Sequence, residues 1–181
     1  SGNYGTYAGG AIYSLANSLI INNSTFANNS SRDHSGALAA VAGYGCGTTT
    51  LTNNTFSGNT SGGPDGTIGS IYCATTLKNN IVKTSGGTAC SGIGGGTFID
   101  GGGNLKWGDT SCPGISANPA LGALGNYGGA TPTLALGADS AAIDAAVTAN
   151  CPSTDQRGQP RNDLHCDSGA YELKYPDSPT V

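Results

Sequence analysis

Acids and arginines crowd one stretch of the chain, CPSTDQRGQPRNDLHCDSGAYE, residues 151–172. Asp155, Arg157, Arg161, Asp163, Asp167 and Glu172 lie between or just beyond Cys151 and Cys166. The 31 residues from Cys151 onward carry eight charged side chains, whereas the first 150 carry ten. Two carboxylates a sugar's width apart hydrolyse glycosidic bonds. Carboxylates that hold Ca²⁺ beside a Lys or Arg base eliminate across acidic sugars. Here the arginines sit among acids able to take them as bidentate partners. No nucleophile or base stands out, so no catalytic residue is assigned.

The rest of the chain offers little more for such chemistry. Residues 1–97 hold only Asp33, Asp65, Arg32, Lys78 and Lys83, and the two Asp are read at different phases of different repeats. In RDHS, Arg32 to Ser35, His34 could act as a base, but a solvated turn accounts for the triplet. The glycines of GIGGGTFIDGGGN, Gly92 to Asn104, lack the Lys-Ser/Thr ending of a phosphate loop. No cofactor and no metal site is expected. Tyr44, Tyr72 and Trp107, with Tyr4, Tyr7 and Tyr13, supply rings that could stack on a glycan, which makes a polysaccharide a candidate partner. Asn23-Ser24-Thr25 and Asn59-Thr60-Ser61 have the N-glycosylation pattern, expected by chance in a chain this rich in Asn, Ser and Thr.

These residues need a scaffold, and composition restricts it. The 181 residues include 31 Gly and no Met, and only 10% are charged. Disorder combines low hydrophobicity with high charge, and this chain lacks the charge. The net charge of −4 argues against nucleic acid. No run of 18 apolar residues spans a bilayer, so no direct membrane insertion is expected. Six cysteines without a C-x-x-C pair point to disulfides and an oxidising, extracellular compartment.

The architecture follows from an internal repeat. INNSTF (Ile21 to Phe26), LTNNTF (Leu51 to Phe56) and LKNNIV (Leu77 to Val82) align without gaps, offset by 30 and then 26 residues, and IDGGGNL (Ile99 to Leu105) is a fainter copy. GGAIY, SGAL and GSIY, starting at Gly9, Ser35 and Gly69, recur in the same order. Units this short bury their apolar face only by stacking. The expected fold is all-β, a right-handed parallel β-helix (a solenoid) of about four coils. Ile21, Leu51 and Leu77 form one interior row, and Phe26, Phe56 and Val82 another. Asn23, Asn53 and Asn79 fall at a corner needing left-handed backbone, where their amides could form a ladder.

The cysteines fit the same phase. Cys46 precedes Leu51 by five residues and Cys73 precedes Leu77 by four, so the two should face each other across adjacent coils. By remainder, Cys90 pairs with Cys112 and Cys151 with Cys166, one of 15 formal connectivities.

From Asn118 the texture changes to NPAL, GGATPT, SAAID, DQRG with Arg161, and CDSGAYE. This series resembles the C-terminal region of secreted bacterial right-handed parallel β-helix proteins of the choice-of-anchor Q type, over residues 97 to 172. The chain departs from it with Leu134 where His is common and Ala141 where Pro is usual. The resemblance implies a secreted or surface-attached β-helix and no single activity.

The last coil of a solenoid needs a polar-faced cap. Asp155, Arg157, Arg161, Asp167 and Glu172 are read as that cap's ionic network. The expected organisation is coils over 1–117, a C-terminal cap over 118–172, and a flexible tail over 173–181. The N-terminal coil, with no charge before Arg32 and no cysteine before Cys46, should leave Ile12 and Ile21 open. Either it was excised from a longer helix, or self-association covers it in a head-to-tail filament. The expected function is a non-catalytic extracellular or cell-surface adhesive or structural protein. The alternative is a fragment of a polysaccharide lyase or glycoside hydrolase whose catalytic coils lie elsewhere.

Overall fold

The computed structural model describes residues 1–41, 47–161 and 164–174. The first coil contains β1 (Tyr4–Gly5), β2 (Ile12–Ser14), β3 (Ser18–Asn22) and β4 (Thr25–Ala27). The second contains β5 (Ser30–Ser31), β6 (Leu38–Val41), β7 (Thr48–Thr52) and β8 (Thr55–Ser57). The third contains β9 (Thr60–Ser61), β10 (Ile68–Ile71), β11 (Ala74–Lys78) and β12 (Ile81–Lys83). A fourth, shorter coil contains β13 (Cys90–Ile93), β14 (Thr97–Asp100) and β15 (Leu105–Trp107), and β16 (Ile115–Ser116) follows it. Equivalent strands pair in parallel into four sheets, making a β-solenoid of about four coils with almost no helix. In order along the coil they are sheets A, B, C and D.

The register explains the repeat. Ile21 pairs with Leu51 and Leu51 with Leu77 in sheet C, while Phe26 pairs with Phe56 and Phe56 with Val82 in sheet D. Sheet B adds Ile12, Leu38, Ile68 and Cys90 to the same interior. The Phe26 and Phe56 rings stack at 4.8 Å with 7° between planes. Each fully buried Leu, Ile or Phe contributes about 1.5–3 kcal/mol. Asn23, Asn53 and Asn79 turn the corner between sheets C and D at φ 47, 51 and 53.

Asn79 Nδ2 donates to Asn53 Oδ1 at 3.2 Å, but the continuous ladder runs one residue later. Asn54, Asn80 and Asn104 each donate Nδ2 to a carbonyl of the preceding coil, those of Ile21, Leu51 and Leu77. Each Oδ1 accepts the backbone N–H of its counterpart one coil back: Ser24, Asn54 and Asn80. Every polar group of these buried amides is thereby used, which buried amides require. A second ladder links Asn3, Asn29 and Asn59. Asn59 Nδ2 donates to Phe26 O, and Asn23 Nδ2 donates to Thr154 O, so both candidate glycosylation nitrogens are bonded inside the fold.

Two features differ from expectation. Ile21 is only 9% exposed, and of the pair at the N-terminal end Ile12 alone is half-buried. The coil nevertheless presents β1, β2, β3 and β4 as edge strands. The 118–172 segment does not lie across the end of the stack. It binds Asn23 and Thr25 of the first coil, Asn53 and Thr55 of the second, Asn79 of the third and Gly103 of the fourth. It is a strap along the outer flank. Ile81 and Leu105, whose side chains point outward from sheet D, form a second core with Leu136 and Ala142 of the strap. Within it β17 (Leu121–Gly125) and β18 (Thr133–Leu136) form an antiparallel hairpin.

The fourth coil is covered by residues 108–114. Successive outward positions of sheet D, Thr25, Thr55, Ile81, Leu105 and Ile115, are spaced by 30, 26, 24 and then 10 residues. The short last step folds Cys112 into the main core, bonded to Cys90 with Cα atoms 4.9 Å apart. Ser111 Oγ accepts the N–H groups of Ala89 and Cys90. Among the described residues no helix is long and apolar enough to cross a membrane.

Candidate functional site

The connections between sheets A and B stack above one another, as the coils do. Tyr7 and Ala8 belong to the first connection, His34 to the second and Asp65 to the third. Tyr13 points outward from β2 because Ile12 points inward. Ile71 and Ile93 end β10 and β13, and Tyr72 follows directly. Together Tyr7, Tyr13, His34, Ile71, Tyr72 and Ile93 line a pocket of about 190 Å³. Four coils contribute to it.

Its rings are held by specific contacts. The His34 ring meets Tyr7 edge-on, centroids 5.0 Å apart, and Tyr7 meets Tyr13 the same way at 6.5 Å. Nδ1 of His34 hydrogen-bonds the carboxylate of Asp65, which is 4% exposed. That contact leaves Nε2 to a ligand. Tyr72 sits at φ 71, an outlier for a bulky side chain, and its backbone N–H donates to Ile93 O at 2.8 Å. Its ring lies on Gly94, where a Cβ would come within 2.4 Å of the ring. Tyr72 as a residue is 60% exposed. Strained backbone held by its surroundings is characteristic of binding and catalytic sites.

The pocket offers aromatic faces and one imidazole as hydrogen-bonding group. Among the described residues its lining carries neither carboxylate of a glycosidase's acid–base pair, and no Lys or Arg. Drug-sized ligands occupy about 300–1,000 Å³, so this pocket suits one ring of a longer chain. Among the described residues no three His, Cys, Asp or Glu gather as metal ligands.

Several expected site residues lie elsewhere or are rearranged. His34 does lie in the turn between β5 and β6, but its half-buried ring is tied to Asp65 rather than left to solvent. Asp33 and Asp65 fall at different phases of different coils, as expected: with Ser31 opposite Ser61 and Leu38 opposite Ile68, Asp33 is level with Gly63 and Asp65 with Ser35, and they serve different partners, Arg32 and His34. Arg32, through its hydrogen bond, holds the Asp33 carboxyl below its usual range. Trp107, on β15 in sheet D, is not brought to Tyr72. Tyr44, Asp163 and Cys46 lie outside the described residues, and with Cys46 the Cys46–Cys73 pairing. Tyr7 and Tyr13 complete the pocket. The sequence already offered both among the rings able to stack on a glycan, and Tyr13 ends the GGAIY repeat.

The strap's ionic residues form a closed buried network. Arg157 pairs with Asp155 at 2.7 Å, donates to Glu172 O at 2.6 Å and lies 3.6 Å over the Tyr171 ring. Arg161 pairs with Glu172 at 2.5 Å and donates to the carbonyls of Asp167 and Gly169. Asp167 accepts the N–H groups of Asp144 and Leu173. Burial pulls the Arg161 guanidinium below its usual range, against the opposing pull of Glu172, Asp155 and Asp167. With the Arg161 and Glu172 side chains 0% and 1% exposed, this network fastens the strap and faces no substrate. The Cys151–Cys166 disulfide closes the same segment. Both disulfides are compatible with an extracellular protein.

No family, curated protein or solved structure matches this chain.

Proposed function

We propose that this chain is a non-catalytic, secreted adhesive protein that binds neutral glycans. The observation that carries the proposal is the pocket of three tyrosines and His34, assembled from four coils on a hydrogen-bonded scaffold. Tyrosine offers an apolar face and a polar tip at small entropic cost, which suits a sugar's mixed surface. The buried Asp65 carboxylate behind His34, with no Lys or Arg among the described lining residues, disfavours uronates. The C-terminal resemblance to secreted bacterial β-helix proteins supports an extracellular or surface-attached setting.

A second reading draws on the His34–Asp65 pair, since an imidazole oriented by a carboxylate is the arrangement of a general base. Under that reading the chain is part of a polysaccharide lyase or hydrolase. One experiment separates the two. Incubated with neutral glucans, mannans, xylans and galactans and with polygalacturonate and alginate, the protein should retain neutral polymers without new reducing ends or unsaturated products. Product formation that disappears in His34→Ala would establish the enzyme.

A further inference from the structure

The outward side chains of sheet C form two rows that the pocket on sheet B does not use. Ile20 pairs with Thr50, Thr50 with Thr76, and Thr76 with Ile99. Two residues earlier on each strand, Ser18 pairs with Thr48 and Ala74 with Thr97, and the Thr49–Thr75 pair sets Ala74 beside Thr48. Ile20 and Ile99 are 67% and 50% exposed, and the other six positions are exposed or half-buried. Five of the eight carry a hydroxyl, three are aliphatic, and none is ionisable. The nearest charges on the sheet are Asp100, which follows Ile99 on β14 and accepts from Gly102 N–H and Asn104 Nδ2, and Lys78, two residues beyond Thr76.

Parallel strands repeat about every 4.8 Å along the stack, and alternate residues lie about 6.6 Å apart along each strand. The face is therefore a two-dimensional grid of hydroxyl and methyl groups. β-branched side chains are stiff at χ1, so a threonine grid is ordered before it meets anything. The Asn54–Asn80–Asn104 ladder at the adjoining corner fixes the relative height of the coils.

We infer that this face binds ice. Ice presents a neutral lattice whose oxygens repeat at comparable distances in two directions. Threonine hydroxyls can occupy lattice positions while the methyl groups order water between them. Four strands and two rows present only a few hundred Å² at these spacings. A stable protein partner needs about 800 Å² per side. A polysaccharide would need ring platforms, and neither row carries an aromatic ring. A charged partner would find no opposite charge in either row.

The test is ice growth itself. The wild-type protein should slow ice recrystallisation and facet growing crystals. Thr50→Lys and Thr76→Lys should each require at least tenfold more protein for the same effect. Thr60→Lys, on the exposed face of sheet A, should behave as wild type. Thr97→Lys repeats the test at the outer strand, so a misfolded central variant does not decide it. Retained β-sheet circular dichroism and both disulfides certify each variant. Ice growth unaffected by the wild type would overturn the inference, as would lysine variants that act like the wild type.

Discussion

Nδ1 of His34 is held by the carboxylate of Asp65, 31 residues later in sequence and one coil away. Asp65 is buried and His34 opens onto the pocket, so the pair fixes the imidazole and commits Nε2 to whatever enters. Tyr7, Tyr13 and Tyr72 line the same pocket.

Tyr72→Gly removes one ring and places at φ 71 the residue that favours it. Its fold should survive, while affinity for a neutral oligosaccharide falls about tenfold, the equivalent of about 1.4 kcal/mol. Tyr7→Ala should weaken binding similarly and also loosen His34. Calorimetric titration measures both.

Asn80→Ala strips the ladder at its middle. Leu51 O loses a donor, and the N–H and Nδ2 of Asn54 lose their acceptor. Buried unpaired groups cost about 1–3 kcal/mol each, so a loss of about 3–5 kcal/mol is expected in denaturant unfolding. Asn22→Ala, at an exposed position, should change stability by less than about 0.5 kcal/mol.

Arg161→Met leaves Glu172 without its guanidinium partner and should cost about 3–5 kcal/mol. The damage should localise to the strap. Limited proteolysis is expected to cut within 118–172 first, releasing the cover over Ile81 and Leu105 while the coils resist.

Asp109 gives the fourth coil's cover an acid dependence. Burial raises its pKa, but hydrogen bonds from the Ser111 hydroxyl and from the N–H groups of Ser111, Ala89 and Thr110 outweigh it, and the net shift is downward. A depressed carboxyl stabilises above its unfolded pKa of about 3.9 and loses that contribution as pH falls through the folded value. Hydrogen exchange at the Ala89 amide, corrected for intrinsic rates, should accelerate below pH about 4 in the wild type. Asp109→Asn should flatten that dependence.

The interior was legible because apolar residues recur at one phase. Ile21, Leu51 and Leu77 announce their row, and Phe26, Phe56 and Val82 theirs, whatever the loops between them do. The left-handed Asn corner was legible for the same reason. Which of two adjacent Asn carries the ladder was not, since Asn53 and Asn54 share composition and differ only in which way the corner turns them. The strap's placement was hidden too. A charged, disulfide-closed segment suits the flank as well as the end, and only the outward Ile81 and Leu105 give it an apolar reason to choose the flank. His34 meets Asp65 through the lengths of two irregular connections, which no periodicity encodes.

The central claim is that a neutral glycan occupies the tyrosine pocket, and mapping bound oligosaccharide by NMR tests it most directly. Intermolecular contacts from sugar protons to the rings of Tyr7, Tyr13 and Tyr72 are expected, with a shift at His34. Contacts centred instead on Trp107, or on the cleft of about 540 Å³ between the first coil and the strap that Phe26, Thr131 and Gln156 line, or no binding by any neutral oligosaccharide, would contradict it.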